Sequence, residues 1–375
     1  MIPFNKPYLH GRELVYIAQA VASGKISGDG MFTKKCHDFF ESKYGFKKAL
    51  LTTSCTDALE MAAILLNIQP GDEVILPSFT FVSTANAFAL RGAKLVFADS
   101  YVDNPNIDPD EVERLVTGRT KAIVVVHYAG VACDMDRIIT IADANGVPVI
   151  EDAAQAIDSF YKGRPLGSLG LLGAFSFHET KNIISGEGGL LSINDEALIK
   201  RAEIIREKGT NRSSFFRGEV DKYGWVDIGS SFLPSDIIAA YLFAQLENIK
   251  TIQARRKYIW QSYWDGLKPL AELAGVGLPN VSTWATNNAH MFYLVTNGIE
   301  QRTHLIDRLK NAGVNAVFHY LSLHKSPYYI DRHDGRELPK SDRFMNCLVR
   351  LPLYFEMSDS DIDEVISAVR SALEN

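Results

Sequence analysis

A chain of 375 residues, 46% hydrophobic and 22% charged, is long enough for two domains and has the balance of a globular protein with a sizeable core. Its net charge of -6, spread without a long single-sign block, leaves no electrostatic case for nucleic acid as the main partner. Four cysteines (Cys36, Cys55, Cys133, Cys347) stand far apart with no CxxC pair, which speaks against a zinc ribbon, a redox motif or a disulfide scaffold. No leader-like start and no apolar run near the roughly 18 residues of a membrane helix is found, so a cytoplasmic protein with no membrane contact is expected.

Between residues 47 and 195 short apolar runs alternate with amphipathic stretches. Strands are expected at 49–53, 74–76, 94–98, 122–127, 147–151, 174–177 and 190–193, rich in Val, Ile and Leu as where both sheet faces are covered. Helices are expected between them at 56–66, 80–90 and 135–144. Asp108-Pro109-Asp110-Glu111 reads as a further helix start, with Asp108 as cap, Pro109 in the first turn and Glu111 as capping-box acid. This alternation predicts an α/β fold, a mainly parallel twisted sheet sandwiched by helices. The polar, aromatic, glycine-bearing stretch 209–229 reads as a long loop, of the kind that is functional or disordered. Beyond Pro234 two long helices are expected at 237–249 and 254–267. From about residue 270 the pattern is strand, helix (301–311), strand (314–319) and a closing helix (359–373), a smaller α+β domain. The division is 1–250, with an N-terminal arm, and 251–375.

In Glu151-Asp152-Ala153-Ala154-Gln155, Asp152 should emerge at the carboxyl end of a parallel strand, where ligands of open α/β sheets bind. Strand ends are also acidic merely because they meet solvent. Lys181, in Phe175-Ser176-Phe177-His178-Glu179-Thr180-Lys181-Asn182, lies just past an aromatic strand and near Gly186-Glu187-Gly188-Gly189. A lysine held beside a sheet edge can have its ammonium pKa lowered, which frees the amine to form a Schiff base; a lone lysine is more often solvated. Its pairing with Asp152, 29 residues earlier, adds weight. A pyridoxal enzyme needs both such a lysine and an acid that keeps the pyridine nitrogen protonated. Thr52-Thr53-Ser54-Cys55-Thr56 stands between a strand and a helix, so Ser54 and Thr56 either cap that helix or help its N-terminus hold a phosphate. Phe79 and Phe81 follow a strand and offer a stacking surface, or core. No P-loop, no G-x-G-x-x-G opening the first βα unit and no Gly-x-Ser-x-Gly elbow occurs, and the histidines form no zinc motif. His319 and His324, five apart, are better suited to lining a pocket than to binding metal, and no metal site is expected.

Five motifs in order, Ser-Cys-Thr, Pro-Ser-Phe-Thr-Phe, Glu-Asp-Ala-Ala-Gln, Ser-Phe-x-x-x-Lys and Gly-Glu-Gly-Gly, resemble those of the DegT/DnrJ/EryC1/StrS sugar aminotransferases, a likeness running over nearly the whole chain. The resemblance implies the fold type I architecture of pyridoxal 5'-phosphate (PLP) enzymes, with a seven-stranded sheet, and a homodimer with active sites at the subunit interface. It assigns Lys181 as the Schiff-base lysine, Asp152 to the pyridine nitrogen, Gln155 to the ring oxygen and Phe81 to the ring face. Cys55, Thr56 and Ser176 match phosphate positions, and Ser231 stands where many members place an asparagine that reaches the partner subunit's phosphate. Segments 127–133, 207–213, 215–218, 227–231 and 288–293 resemble the members that make dTDP-4-amino-4,6-dideoxygalactose, a precursor of bacterial surface polysaccharide. The implied substrates are dTDP-4-keto-6-deoxyglucose and glutamate, with pyridoxamine 5'-phosphate (PMP) in the second half-reaction. His178 is expected to orient donor or sugar. Arg212, Arg217, Lys222 and Tyr223 offer groups for a diphosphate and a base, and His319 lines the pocket. The rivals are a 3-keto or gluco-configured outcome, a PMP-dependent dehydratase that uses histidine in place of lysine, and a non-catalytic regulator on the same fold.

Overall fold

A computed structural model describes residues 1–374. In chain order the strands are β1 (Lys48–Thr52), β2 (Glu73–Pro77), β3 (Lys94–Ala98), β4 (Thr120–Val126), β5 (Val149–Asp152), the short β6 (Phe160–Tyr161) and β7 (Arg164–Pro165), β8 (Leu172–Ser176), β9 (Gly189–Ile193), β10 (Phe292–Val295), β11 (Val317–Phe318) and β12 (Leu348–Leu351). The central seven-stranded sheet has the order β1-β9-β8-β5-β4-β2-β3. Its pairs from β3 through β2, β4 and β5 to β8 are parallel. β9 runs antiparallel to both neighbours, β8 and β1. That reversal places Gly189, the first residue of β9, opposite Thr52 and Ser176, the last residues of β1 and β8.

Strand side chains alternate between two apolar layers. Ala49, Leu51, Ile75, Ile123, Val125 and Val149 pack with residues of helices Met31–Tyr44, Met135–Asn145 and Asp236–Glu247. Leu50, Val74, Leu76, Ala122, Val124 and Ile150 pack with residues of helices Cys55–Leu65, Val82–Ala89 and Ile199–Arg206. Both faces are therefore dry, which is why these strands read as continuous apolar runs. Among the described residues no helix is long and apolar enough to cross a membrane.

Several elements differ from expectation. Helix Val82–Ala89 begins two residues later than expected, leaving Thr80 and Phe81 in the turn at the sheet edge. Asp108 caps helix Pro109–Leu115 by accepting the Asp110 N–H at 3.0 Å, yet no capping box forms. The Asp108 N–H donates to the Asp99 carbonyl, and Glu111 turns to Arg114. The helix expected at 254–267 is longer, Ile249–Ala274; it accommodates Pro269 and stops where Gly275 takes a left-handed conformation, φ 65°. The strand expected near 270 comes only at β10. The strand expected at 314–319 shrinks to β11: Val314 bridges Ile2 and the Asn315 N–H donates to the Ile2 carbonyl, so its first residues pair with the N-terminal arm, and Tyr320, at φ 53°, turns the chain beyond it. Within 209–229 lies a short helix, Arg212–Phe216, and Thr210 bridges Trp225.

β10, β12 and β11 form the second sheet, packed on helices Ile249–Ala274, Ile299–Asn311 and Asp359–Glu374. The start of the N-terminal arm docks here, while Tyr8 further along packs against the core of the central sheet. Ile2 is buried in this cluster and its N–H donates to the Gly313 carbonyl at 2.7 Å.

Glu151 and Asp152 are consecutive, so their side chains leave β5 on opposite faces. Glu151 is fully buried and accepts the N–H groups of Gly167, Leu169 and Gly170, each at 2.7 Å. His127 Nδ1 accepts the Cys133 N–H, which leaves the ring proton on Nε2 to donate to Glu151 at 2.9 Å. Glu151 thus clamps the chain between β7 and β8. Glu151→Gln is expected to cost roughly 3 kcal/mol, read by urea denaturation, while kcat per folded molecule stays unchanged.

Candidate active site

Residues at or just beyond the carboxyl ends of β1, β2, β4, β5 and β8 (Ser54, Thr80, Val126, Asp152, Ser176) line one cavity of about 530 Å³, together with Lys181 from the β8–β9 loop. This is the edge at which open α/β sheets bind ligands, and the volume is that of a small-molecule site.

The β8–β9 loop folds back on itself and so fixes the root of Lys181. Phe177 N–H donates to Gly188 O at 2.8 Å, Glu179 N–H to Gly186 O at 2.9 Å and Lys181 N–H to His178 O at 2.9 Å. The next residue, Asn182, is buried and donates to Gln253 Oε1 and to the Asn288 carbonyl, both at 2.8 Å. Enclosure lowers the Lys181 ammonium pKa to about 8; Arg350 pushes the same way, against Cys55 and Asp152. The amine is therefore partly neutral near physiological pH.

Asp152 lies on the floor of the cavity. Burial raises its carboxyl pKa, opposed by the Thr84 hydroxyl donating at 2.6 Å, by the Ala154 N–H at 3.1 Å and by the Lys181 charge. These two donors fix the carboxylate while leaving acceptor capacity for a further donor from the cavity.

A helix N-terminus suited to an anion closes the far end. Ser54 caps helix Cys55–Leu65 by accepting the Asp57 N–H at 3.1 Å. The helical ladder begins with Ala58 N–H to Ser54 O, so the N–H groups of Cys55 and Thr56 have no intrahelical acceptor. Ser54 hence both caps the helix and lines the cavity. The Thr56 hydroxyl donates to Ser83 Oγ at 2.8 Å, and Ser176 borders the same space. A Cβ on Gly189 would come within 2.3 Å of the Ser54 carbonyl carbon and oxygen, so β9 can start beneath the helix only with glycine there.

Phe81 flanks the mouth, 55% exposed, with its ring 6.1 Å from that of Tyr320. Phe79 is core, packed on Tyr128 and Phe344. Gln155 is held at the rim: its Oε1 accepts the Ala129 N–H at 2.6 Å and its Nε2 donates to the Tyr320 hydroxyl at 3.0 Å. His178 Nδ1 accepts the Thr180 N–H at 3.2 Å, and its Nε2 is 3.7 Å from Glu187. His319 pairs through Nδ1 with the Tyr128 hydroxyl at 2.7 Å and stacks on Tyr320 at 3.5 Å; burial holds its pKa well below the ordinary histidine value. His324 lies elsewhere, bonded to Ser78. Among the described residues no group of three His, Cys, Asp or Glu side chains is placed to hold a metal ion.

Ser54, Cys55, Thr56, Phe81, Asp152, Gln155, Ser176, His178, Lys181 and His319 thus meet around one space. Five expected site residues do not reach it within one chain. Ser231 is exposed on the surface. Arg217 is paired with Glu203 and Glu219, and Arg212 lies over the Phe216 ring near Glu207. Lys222 is exposed, and Tyr223 rests on Phe215. Thr84, His290, Tyr320 and Arg350 are additions with no local motif. Arg350 alone left a trace, as the polar residue in the apolar run Leu348-Val349-Arg350-Leu351.

The donor set fits one kind of cofactor. A low-pKa amine, a buried carboxylate, a hydroxyl-rich helix N-terminus and a flanking aromatic ring match, in turn, an aldehyde, a pyridine nitrogen, a phosphate and a flat ring. Fold and site together define a PLP-dependent aminotransferase. Residues 7–370 match the family model described as the DegT/DnrJ/EryC1/StrS aminotransferase family, and the chain belongs to that family. It is 34% identical over 379 residues to the spore coat polysaccharide biosynthesis protein SpsC of Bacillus subtilis (strain 168), covering 98% of this chain and 96% of that one. Among solved structures it is similar to the aminotransferase TlmJ from Streptoalloteichus hindustanus (TM-score 0.91, 32% identity, 100% of this chain and 99% of that one). It is also similar to Spr1654 from Streptococcus pneumoniae in its PLP form (TM-score 0.90, 27% identity, 100% and 98% covered), a protein also solved in a PMP form. The chain is a PLP-dependent sugar aminotransferase.

Proposed function

We propose that the protein moves the amino group of L-glutamate to C4 of dTDP-4-keto-6-deoxy-D-glucose, giving dTDP-4-amino-4,6-dideoxy-D-galactose. The observation that carries the transamination chemistry is the meeting of Lys181, its amine pKa near 8, with Asp152 in one enclosed cavity. The choice of sugar is supported by the likeness of the chain's own segments to transaminases of that substrate.

Bound PLP supplies an electrophilic carbon that carries the amino group and a ring that absorbs the electrons freed at the donor's α-carbon. Lys181 holds the cofactor covalently at rest. Its Nζ, once displaced, takes the proton from the donor α-carbon and returns one at C4 of the sugar in the second half-reaction. Asp152 would hold the proton on the ring nitrogen. Ser54, Cys55, Thr56 and Ser176 bind the phosphate, helped by the helix dipole. Gln155 would serve the ring oxygen, Phe81 would cover the ring, and His178 would orient donor or sugar.

Two copies complete each other's sites in this reading. Ser231, Arg212, Arg217, Lys222 and Tyr223 lie outside their own cavity, on a segment that exposes Trp225 (85%) and Phe216 (69%). An apolar surface of this kind suits a subunit contact. From there these side chains serve the neighbour's phosphate and nucleotide.

Incubating the holoenzyme with both substrates and solving the product by NMR tests the assignment. An axial C4 amine is expected; amination at C3, or an equatorial amine, would overturn it. A pH series on the apoprotein checks the lysine. Only the neutral amine attacks, so the rate of PLP uptake, followed by absorbance, is expected to rise about tenfold per pH unit below the shifted pKa and level off above it. That break falls at about 8.

A further inference from the structure

One histidine on the cavity wall has a ring proton that its neighbours fix in place. His290 borders the space and is buried, 4% exposed. Its Nδ1 stands 2.9 Å from Oδ1 of Asn182, the residue after Lys181. The Asn182 amide is itself oriented. Its Nδ2 donates to Gln253 Oε1 and to the Asn288 carbonyl, both at 2.8 Å, and a backbone carbonyl can only accept. Oδ1 is therefore the atom that faces His290, and an amide oxygen there needs a donor. The ring proton must sit on Nδ1, which leaves Nε2 with a lone pair. His319 differs: its partner, the Tyr128 hydroxyl, donates or accepts equally well, so its tautomer is open.

Nothing in the protein takes up the Nε2 lone pair. Among the described residues Nε2 has no hydrogen-bond partner, and it is not one of the polar atoms sealed away from space, so it opens on the cavity. Protonation there is opposed from every side. Burial holds the ring well below the ordinary histidine pKa, and the charges acting on it, Lys181 foremost and then Arg350 and Arg256, are all cationic. The ring is a fixed neutral acceptor close to the reacting amine.

We infer that His290 Nε2 accepts a hydrogen bond from the hydroxyl on the sugar carbon next to the reacting ketone, C3 of the proposed substrate, and thereby selects sugars that carry it, an inference that rests on the nucleotide-sugar reading above. Only a group with a proton to give suits such an acceptor. The carboxylates of glutamate have none at neutral pH, and the lone pair repels them. The Lys181 amine, bound to the cofactor at rest, does not fill this place. Next to the reacting carbon of the keto sugar stand C3, with its hydroxyl, and C5, with its methyl group; of these substituents the hydroxyl alone donates. A pocket built to bond a hydroxyl rejects the analogue that lacks it, because the acceptor is then enclosed without a partner.

The test follows the PMP-loaded enzyme by absorbance with dTDP-4-keto-6-deoxyglucose and with its 3-deoxy analogue, in wild type and in His290→Asn. The shorter amide places its Nδ2 where the imidazole has Nδ1, so the bond to Asn182 is kept while the cavity acceptor is lost. Wild type is expected to favour the hydroxylated sugar about thirtyfold in kcat/KM, and His290→Asn to fall by a similar factor on that sugar and to discriminate less than about threefold. The glutamate half-reaction, the visible spectrum of bound PLP and the melting temperature should stay as in wild type. A second readout needs no turnover. In apoprotein with isotope-labelled histidine nitrogens, the NMR signals lost in His290→Asn should be those of a neutral Nδ1–H ring down to about pH 6. A protonated ring or the Nε2–H tautomer overturns the inference. So does an undiminished preference for the hydroxylated sugar in His290→Asn, or an equal loss in both half-reactions, which would put the ring on Lys181. A wild-type enzyme that takes a different keto sugar defeats the choice of sugar alone. The same comparison, on that sugar and its analogue deoxygenated beside the ketone, then decides His290.

Discussion

Lys181→Ala is expected to lower turnover about 10⁴-fold, the combined loss of covalent anchor and proton carrier, or roughly 5 kcal/mol in transition-state stabilisation. The loop that carries it is tied by its own backbone bonds and by Asn182, not by the lysine side chain, so the fold should survive. Removing an amine whose charge is disfavoured by burial costs no stability at neutral pH. Single-turnover absorbance with glutamate, beside a melting curve, separates the two quantities. A variant that turns over within tenfold of wild type while melting normally would remove Lys181 from the chemistry.

Asp152→Asn is the second large effect. The amide keeps the shape and can still accept from the Thr84 hydroxyl, now 2.6 Å from the carboxylate, but carries no charge to hold a protonated ring nitrogen. A fall in kcat of about a hundred- to a thousand-fold is expected, with cofactor retained and the sugar KM little moved. Asp152→Glu should recover part of the loss. Parallel kinetics on Glu151→Gln supply the contrast, because the neighbouring acid points into the opposite layer, where it binds only backbone N–H groups and His127. If Asp152→Asn kept its kcat and Glu151→Gln lost it, the roles given to these two acids would be reversed.

Much of this arrangement was legible in the chain because it rests on local rules. Ser54 could be read as a helix cap and as an anion ligand, and it serves the first role while bordering the cavity in position for the second. Asp152 was legible as a strand-end acid because it and Glu151 close the apolar run Val147-Pro148-Val149-Ile150. Other features were not. The capping box at Asp108 failed because its N–H found Asp99, a partner nine residues away that no local pattern announces. The strand at 314–319 was cut short because Val314 and Asn315 pair with Ile2, a partner from the other end of the chain. Phe79 and Phe81 look alike in sequence, yet one is core and the other flanks the mouth, since only the start of helix Val82–Ala89 decides which way each points.

The order of motifs along the chain was enough to specify an α/β fold, a strand-end aspartate, a lysine beside the sheet edge and a helix-capping turn suited to an anion, because each of these taken singly depends on neighbours within a few residues. What the tertiary structure alone decided is the wall opposite them. Tyr320, His290 and Arg350 reach the cavity from the far end of the chain, and Phe4, from its beginning, packs its ring on the Arg350 guanidinium. The physical reason is that a side chain's charge and exposure depend on what packs against it. For Arg350 that packing removes solvent without supplying an acid, a condition written in no segment of the chain taken alone.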